Sequence, residues 1–468
     1  LTINLSIIPS FIAYSADFAS RPNILLVMTD DQGYGDLACH GNPIIKTPRL
    51  DAFHREAVRL TDFHVSPTCA PTRSALMTGR HEFKNGVTHT INERERLTPK
   101  AFTVAQLLKS AGYSTGIFGK WHLGDEAEYQ PNKRGFDEVF IHGAGGIGQT
   151  YVGSCGDAPG NAYFNPAILH NGVFEKTKGY CTDVFFNQAI GWIDRQRQAR
   201  QPFFAYITPN CPHAPLDCPP EYEAKYTGQV PPNVARFYGM IANIDDNFGR
   251  LLDKLDEWQI ADQTLVIFMT DNGTATGEQV FNAGMRGKKG TPYQGGTRVP
   301  ALWRWPSGFA GGRDLAHLTA HIDIFPTLAE ITGTKSPAEF AGQVEGRSLM
   351  PLLKNSDAQW PDRTLVTHVG RWEKGKAAEN KYAACSIRNT RFSLVNAARQ
   401  GEKWELFDLT SDPGEKTNVI GEHPEVVKDL ESQFDTWWTE VTPLLVNEDA
   451  VGPAENPFKV LYWKQFGK

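Results

Sequence analysis

No apolar run in the 468 residues approaches the roughly 18 needed to cross a bilayer, so the sequence carries no membrane span. Positive charge is not in surplus. Asp and Glu number 53 against 47 Lys and Arg, a formal charge of −6, which argues against a nucleic-acid partner or an anionic membrane surface. Cysteine is scarce: seven residues, at 39, 69, 155, 181, 211, 218 and 385, are too few to staple a fold. Their odd number leaves at least one thiol free in a fully oxidised monomer. There is no internal repeat and no low-complexity tract. What remains, 40% hydrophobic and 21% charged residues, is ordinary globular composition. Single cores stop growing at roughly 250–300 residues, so a large domain with a smaller one is expected.

Residues 1–20, LTINLSIIPSFIAYSADFAS, hold a single charge, Asp17, and an apolar stretch around Ile7–Ala13. They read either as the remnant of a secretory signal without its basic start or as a plain N-terminal arm. The first reading places the protein in the periplasm or outside the cell.

The run Asn23–Thr29 is continuously apolar and of strand length, and it ends in Asp30-Asp31-Gln32-Gly33. Thr98-Pro99 predicts a helix start, followed by Phe102, Ala105, Leu107 and Leu108 and closed by Gly112. Tyr113–Phe118 predicts a strand leading into Gly119-Lys-Trp-His-Leu-Gly124. Phe203–Thr208 and Thr264–Thr270 predict two more, separated by a helix whose Ile241, Ile244, Phe248, Leu251 and Leu255 keep a 3,4,3,4 spacing. Alternating strands and helices predict an α/β fold, a mostly parallel sheet flanked by helices, with chemistry at the carboxyl ends of the strands. Residues 141–183 form a Gly-, Asn- and aromatic-rich insert longer than most structureless loops, which reads as a binding element or a disordered segment. From about Asp362 the rhythm changes to short strand-like pieces, Leu365–His368, Ala383–Arg388, Phe392–Val395 and Trp404–Leu409, then a helix near Pro424–Thr439. The expected division is a catalytic domain over 21–365 and a smaller domain of antiparallel sheet plus helix over 366–468.

Two groups of residues could carry chemistry. Asp30-Asp31 and Asp271-Asn272 end two predicted strands, and four hard oxygen donors suit Ca²⁺ or Mg²⁺ better than Zn²⁺. A pair of Asx turns or helix caps is the bland alternative. Cys69 lies in Ser66-Pro-Thr-Cys-Ala-Pro-Thr-Arg-Ser-Ala-Leu-Met-Thr-Gly-Arg80, where Pro71 fits a first helical turn and Gly79 a helix end. That places Cys69 at the positive end of a helix dipole with Arg73 one turn on, an anion-binding position, unless it is a buried structural Cys.

Cys-Ala-Pro-Thr-Arg (69–73) followed by Ser-Ala-Leu-Met-Thr-Gly-Arg resembles the type I sulfatase signature, C-x-P-x-R then x-x-L-x-T-G-R, of the alkaline phosphatase-like superfamily. Asn23–Gly35 resembles that family's first strand and metal turn, and Gly119–Gly124 its G-K-W-H-L-G. Met285–Pro300 resembles its R-G-x-K-G-T-x-Y-E-G-G-x-R-V-P segment, and Trp404–Asn418 its E-L-Y-D-L-x-x-D-P-x-E-x-x-N. The similar segments run in the family's order from about residue 21 to 420. Two positions depart: Thr72 stands where Ser is usual, and Gln294 stands in place of a Glu, which leaves that position without a carboxylate to contribute.

The resemblance implies a formylglycine-dependent sulfate ester hydrolase with an alkaline phosphatase-like fold. Its Cys is oxidised to formylglycine by a maturation enzyme, which implicates Cys69. The metal ligands carry over to Asp30, Asp31, Asp271 and Asn272, with a diol oxygen from Cys69; Ca²⁺ is the expected ion and Mg²⁺ the alternative. Three carboxylates against one dication leave an excess negative charge, so neighbouring cations are required. Arg73, Lys120 and Lys289 carry over as those cations, Arg73 on the formylglycine hydroxyl and Lys120 and Lys289 on sulfate. His213 is expected to protonate the leaving alcohol and His122 to act as base on the remaining hydroxyl. Lys288 reads as a solvated charge. The expected substrate is a sulfated carbohydrate or polysaccharide, with the insert (Tyr151, Tyr163, Phe164) and the second domain as its walls. The rivals are a phosphonate or phosphate ester hydrolase on the same fold and a non-catalytic protein that binds sulfated glycans. With Cys69 consumed by chemistry, Cys211 with Cys218 and Cys155 with Cys181 are candidate disulfides that the sequence does not decide.

Overall fold

The computed structural model describes residues 21–467, so the leader expected over 1–20 lies outside the described residues. A ten-stranded sheet forms the centre. Its spatial order is Arg313–Leu315, Val58–Leu60, Ala301–Arg304, Thr264–Thr270, Asn23–Thr29, Phe203–Thr208, Ser114–Lys120, Glu138–His142, Ala167–His170 and Val173–Lys176. The five strands from Thr264–Thr270 to Glu138–His142 are parallel, and antiparallel strands flank them on both sides. Parallel strands are covered on both faces, which is why these central segments are almost uninterrupted apolar runs.

The helix Pro232–Glu257 covers one face. Its Ile241, Ile244, Phe248, Leu251 and Leu255 are unexposed, and most of them pack with Leu25, Val27, Val266 and Phe268 of the sheet. On the other face Ile24, Leu26 and Met28 meet Val104–Ser110 and Ile324–Thr332. The first of these helices starts later than Thr98. Thr103 Oγ1 accepts from Gln106 N at 3.2 Å while Gln106 Oε1 accepts from Thr103 N at 2.9 Å, a reciprocal capping box. The Thr98 hydroxyl accepts only one long bond, from Lys100 N at 3.4 Å, and residues 98–101 form a turn.

The insert is not structureless. Ala167–His170 and Val173–Lys176 form a hairpin that extends the sheet, and buried Asp157 gathers the glycine-rich part by accepting from Gly143 N and Gly148 N. A second, four-stranded antiparallel sheet comprises Leu365–His368, Cys385–Arg388, Phe392–Asn396 and Trp404–Asp408. The helix Pro424–Val441 lays Leu430, Phe434, Trp438 and Val441 on it. Beyond it the chain returns to the large sheet: Asn447 Nδ2 donates to Gly86 O and Arg96 O, and Phe458 meets Phe174.

All seven cysteines are free, so neither candidate disulfide forms. Each thiol faces its own acceptor instead: Cys155 the Thr90 carbonyl, Cys181 Asn210 Oδ1, Cys211 the Met240 carbonyl and Cys218 the Pro219 carbonyl. Among the described residues no helix is long and apolar enough to cross a membrane.

Candidate active site

Adjacent strands Asn23–Thr29 and Thr264–Thr270 are paired with Thr29 opposite Thr270, so Asp30-Asp31 and Asp271-Asn272 leave the sheet side by side. The two turns touch closely: a β-carbon on Gly33 would sit 2.5 Å from Thr274 N. Lys120 ends the next strand but one, and His213 follows Phe203–Thr208 by a short loop. Cys69 is the first residue of the Cys69–Thr78 helix, whose ten residues are all buried and which Gly79 terminates in a left-handed turn. The structure therefore brings the metal-type carboxylates, the Cys and the basic residues to one place. Asp31 and His122 hold left-handed backbones, φ 67° and 59°, a conformation that ordinary side chains adopt only where the surroundings impose it.

The charges are paired one to one. Lys120 Nζ lies 2.6 Å from Asp30 Oδ2, Lys289 Nζ 2.6 Å from Asp31 Oδ1, and Arg73 Nη2 2.8 Å from Asp271 Oδ2. Arg73 also donates to the Lys120 carbonyl and to Thr208 Oγ1, which fixes its plane. Burial raises the Asp30 carboxyl to about 7 despite Lys120, and Asp271 to about 6 despite Arg73. At Asp31 burial loses to Lys289 and His213, which hold it well below the usual carboxylate range. Burial alone would raise the Cys69 thiol, but Lys120 and Lys289 outweigh it and the thiol is lowered.

The two histidines differ in what orients them. At His122 the ring contacts the Thr90 carbonyl through Nε2 at 2.7 Å; that contact assigns the proton to Nε2 and leaves buried Nδ1, which has no partner, as a free lone pair. Burial, reinforced by Lys120, holds this imidazole neutral. His213 Nδ1 faces the Ala214 carbonyl at 2.7 Å, which turns Nε2 inward, 3.8 Å from Asp31 Oδ2. Burial lowers the His213 pKa and Asp31 opposes it. Tyr163 is no substrate wall: it is fully buried and its hydroxyl donates to the His213 carbonyl, shaping that loop from below.

Both rings are held by a glycine pair in the insert. A β-carbon on Gly145 would lie 2.7 Å from His122 Cε1, and one on Gly146 2.7 Å from His213 Nδ1. Gly146→Ala is expected to lower kcat by about tenfold or more by displacing His213, since small misplacements at the reacting centre are costly. Its melting temperature should stay close to wild type. Thermal unfolding beside steady-state rates checks this, and a large fall in melting temperature with unchanged kcat would contradict it.

The donor set fits a hard divalent cation. Ligand atoms of Asp30, Cys69 and Asp271 all lie within 4.8 Å of one another, as do those of Asp30, Asp31 and His213. Asp30 Oδ1 and Asn272 Oδ1 are buried without any hydrogen-bond partner. Orphaned buried oxygens of this kind are costly unless something electropositive meets them.

The departures have structural explanations. Thr72 Oγ1 donates to the Ser66 carbonyl at 3.1 Å, a bond that Ser could equally make. Gln294 ties the core to the small sheet: its N–H donates to Glu415 Oε2 and its amide to the Pro413 carbonyl. Lys288 is half exposed and pairs with Glu278 outside the cluster. Sequence reasoning missed the Thr90 carbonyl, Thr208, Gly145 and Gly146; the Gly-Gly dipeptide was the only visible trace of them. A cleft of about 740 Å³ lined by His64, His81, Glu82 and Trp437 shares no residue with the charge cluster.

The sulfatase family model matches residues 22–334, and a model of the N-sulphoglucosamine sulphohydrolase C-terminal region matches 288–439. Human N-acetylgalactosamine-6-sulfatase is 32% identical over 357 residues, 71% of this chain and 66% of that protein. The solved structure of Ps i-CgsB in complex with k-i-k-neocarrahexaose superposes with a TM-score of 0.79 at 26% identity, covering 95% of this chain and 97% of that one. The phosphonate monoester hydrolase of Agrobacterium radiobacter shares the fold at a TM-score of 0.62 and 22% identity, covering 92% and 96% of the two chains. With the alkaline phosphatase-like fold and the matched signature both in place, the chain belongs to the sulfatase family and is a sulfuric ester hydrolase.

Proposed function

We propose that this protein removes sulfate from a sulfated carbohydrate, using a formylglycine made from Cys69 by a maturation enzyme and a Ca²⁺ held by Asp30, Asp31, Asp271 and Asn272. The observation that carries this reading is the cluster of three carboxylate–cation pairs around Cys69, with a carboxylate oxygen of Asp30 and the amide oxygen of Asn272 left unpartnered. Bound there, a divalent cation lowers the pKa of a coordinated oxygen and polarises the sulfate. Formylglycine supplies a hydrated aldehyde, with one hydroxyl to attack sulfur and a second whose deprotonation expels sulfate.

The chain's own residues do the rest. Three cations cancel three carboxylates, so the dication leaves two positive charges. A sulfate monoester and one deprotonated hydroxyl together supply two negative charges and neutralise the site. A phosphate monoester dianion would overfill it, which favours sulfate over the phosphoryl rival. Lys120 and Lys289 each hold a carboxylate oxygen and have donors left for sulfate oxygens. Arg73, locked by Asp271, Thr208 and the Lys120 carbonyl, aims at the helix start where the nucleophile sits. His122 Nδ1 accepts the proton of the second hydroxyl, and His213 Nε2–H protonates the departing alcohol once the substrate anion favours the imidazolium.

His213→Ala should therefore cost a sugar sulfate, with its poor leaving group, about 10²-fold or more, and an activated aryl sulfate far less. Equal losses on both would reject the assignment. Intact mass and sulfate release after co-expression with a formylglycine-generating enzyme test the reading as a whole. A persistent Cys69 thiol with no sulfate released from any sulfated glycan would support the glycan-binding alternative instead.

The same reading places the protein in the periplasm or outside the cell, where sulfated polysaccharides are met. It divides the chain into a catalytic domain over 21–365 and a C-terminal subdomain over 366–468 that borders the site.

A further inference from the structure

The C-terminal subdomain sends one loop to the rim of the sulfate pocket, and its neighbours in sequence are fixed there. Gly370, at φ 63°, packs its backbone on the Thr88 carbonyl so closely that no β-carbon fits. Trp372 is buried, and its indole N–H donates to Glu448. Between these anchors Arg371 holds a left-handed backbone, φ 62°, with its N–H on the Thr88 carbonyl at 3.1 Å. A strained, doubly anchored residue is aimed by its surroundings. Arg371 Nη2 donates to Thr90 Oγ1 at 3.1 Å, and the carbonyl of that same Thr90 orients His122.

Arg371 has donors beyond those bonds. Its Nε is buried without a partner, and neither Arg371 nor Arg399, on the connection that follows the Phe392–Asn396 strand, takes part in an ion pair among the described residues. Ala384 ties the two loops together, its carbonyl accepting from Val369 N at 3.0 Å and its N–H donating to the Ala398 carbonyl at 2.8 Å, and His89 lies within electrostatic reach of Arg371, Arg399 and His122. His89 Nδ1 accepts from Thr90 N and Ile91 N, which leaves Nε2 as a donor. Burial, then Arg94, Arg371, His122 and Arg399, push His89 down to about 3, with no carboxylate among the leading influences. Of these cations Arg94 is matched by Glu448. Tyr151, 36% exposed, lies within electrostatic reach of Cys69, Arg371 and Lys289 alike, and the contacts of Arg371 and His122 with the same Thr90 join the rim to the sulfate pocket.

We propose that Arg371 and Arg399, with His89, form a second anion subsite beside the sulfate pocket that holds another acidic group of the saccharide, a further sulfate or a uronate carboxylate. This rests on the carbohydrate sulfatase reading. A planar guanidinium with free donors recognises either oxyanion through paired hydrogen bonds. Substrates would then be selected by a second charge next to the ester that is cut.

The test is competition against 4-methylumbelliferyl sulfate in the matured enzyme, with three probes. These are N-acetylgalactosamine 6-sulfate, its 4,6-disulfate, and a disaccharide joining a uronate to the 6-sulfated sugar. At least one dianionic probe should bind about tenfold tighter than the monosulfate, and the one that gains identifies the acid. In the Arg371→Gln/Arg399→Gln double variant that ratio should fall to about one, while Arg371→Lys, which keeps the charge but loses the paired donors, should retain only part of it. A purely structural role through Thr90 and His122 would move all three inhibition constants together and leave the ratio intact, which would overturn the subsite. A wild-type ratio near one for both dianionic probes would overturn it as well. A matured wild type that releases sulfate from none of the saccharides would refute the parent reading, and the subsite with it.

Discussion

Cys69→Ser, produced beside the same maturation enzyme, is expected to release at most one equivalent of alcohol per protein and then stop. Steady-state sulfate release should fall by at least about 10⁴-fold. The substitution is nearly isosteric, and the residue is 2% exposed at the start of a buried helix, so the fold has little reason to change. Serine can offer one oxygen to sulfur. It cannot expel the sulfate afterwards, because the ester carbon then carries no second hydroxyl whose proton His122 could take. The same neighbours still face the position: Lys120, Lys289 and Arg73 remain to bind the anion. Binding should therefore survive while turnover is lost. A phenol burst with a stoichiometric mass gain of one SO₃ on the introduced serine is the positive signature; sustained multiple turnovers in the variant would show that the geminal diol is not needed.

The parts of the molecule legible in the sequence are those in which local pattern and tertiary environment agree. The strands Asn23–Thr29, Phe203–Thr208 and Thr264–Thr270 are buried on both faces, so an unbroken apolar run identifies each of them to the residue. The Pro232–Glu257 helix announces itself by one apolar stripe because only one of its faces meets the sheet. The helix start at Thr103 is hidden because two Thr residues compete for the cap, and the outcome depends on Gln106 turning back to the Thr103 N–H. The charge cluster is legible residue by residue, whereas its pairing is not. Lys120 faces Asp30 because of strand order and Lys289 faces Asp31 because of how the loop after Thr264–Thr270 folds back, and both are set by contacts between segments far apart in the chain. The support under the histidines is least visible of all: a backbone carbonyl at Thr90 and the missing side chains of Gly145 and Gly146 carry no side-chain signal. Tyr163 misleads for the opposite reason, since an aromatic in a polar insert suggests a sugar platform while its hydroxyl serves the His213 loop.

Asp271→Asn is expected to remove cation-dependent stabilisation and lower sulfate release by at least about 10³-fold. Two effects act together. The substitution takes one of three carboxylates from the ion and leaves the guanidinium of Arg73, 1% exposed, without its counter-charge. Breaking a buried pair costs about 3–5 kcal/mol, and the amide oxygen, which can still accept from Arg73, should keep the loss towards the lower end. The pH dependence separates the two effects. Burial raises Asp30 to about 7 and Asp271 to about 6 in the ion-free protein. A carboxyl with a raised folded-state pKa favours the folded state when protonated, so ion-free stability from these groups declines as pH rises from about 4 to about 7. The cation must displace the same protons, so its binding strengthens over that same range. Adding Ca²⁺ to chelated wild type should therefore raise the melting temperature more at pH 8 than at pH 5.5. In Asp271→Asn the gain should be small at both. A Ca²⁺ response in the variant equal to that of wild type, or full turnover in thoroughly chelated wild type, would remove the ion from this site. An Asp271→Asn protein that lost stability but kept its Ca²⁺ response would assign Asp271 to Arg73 alone.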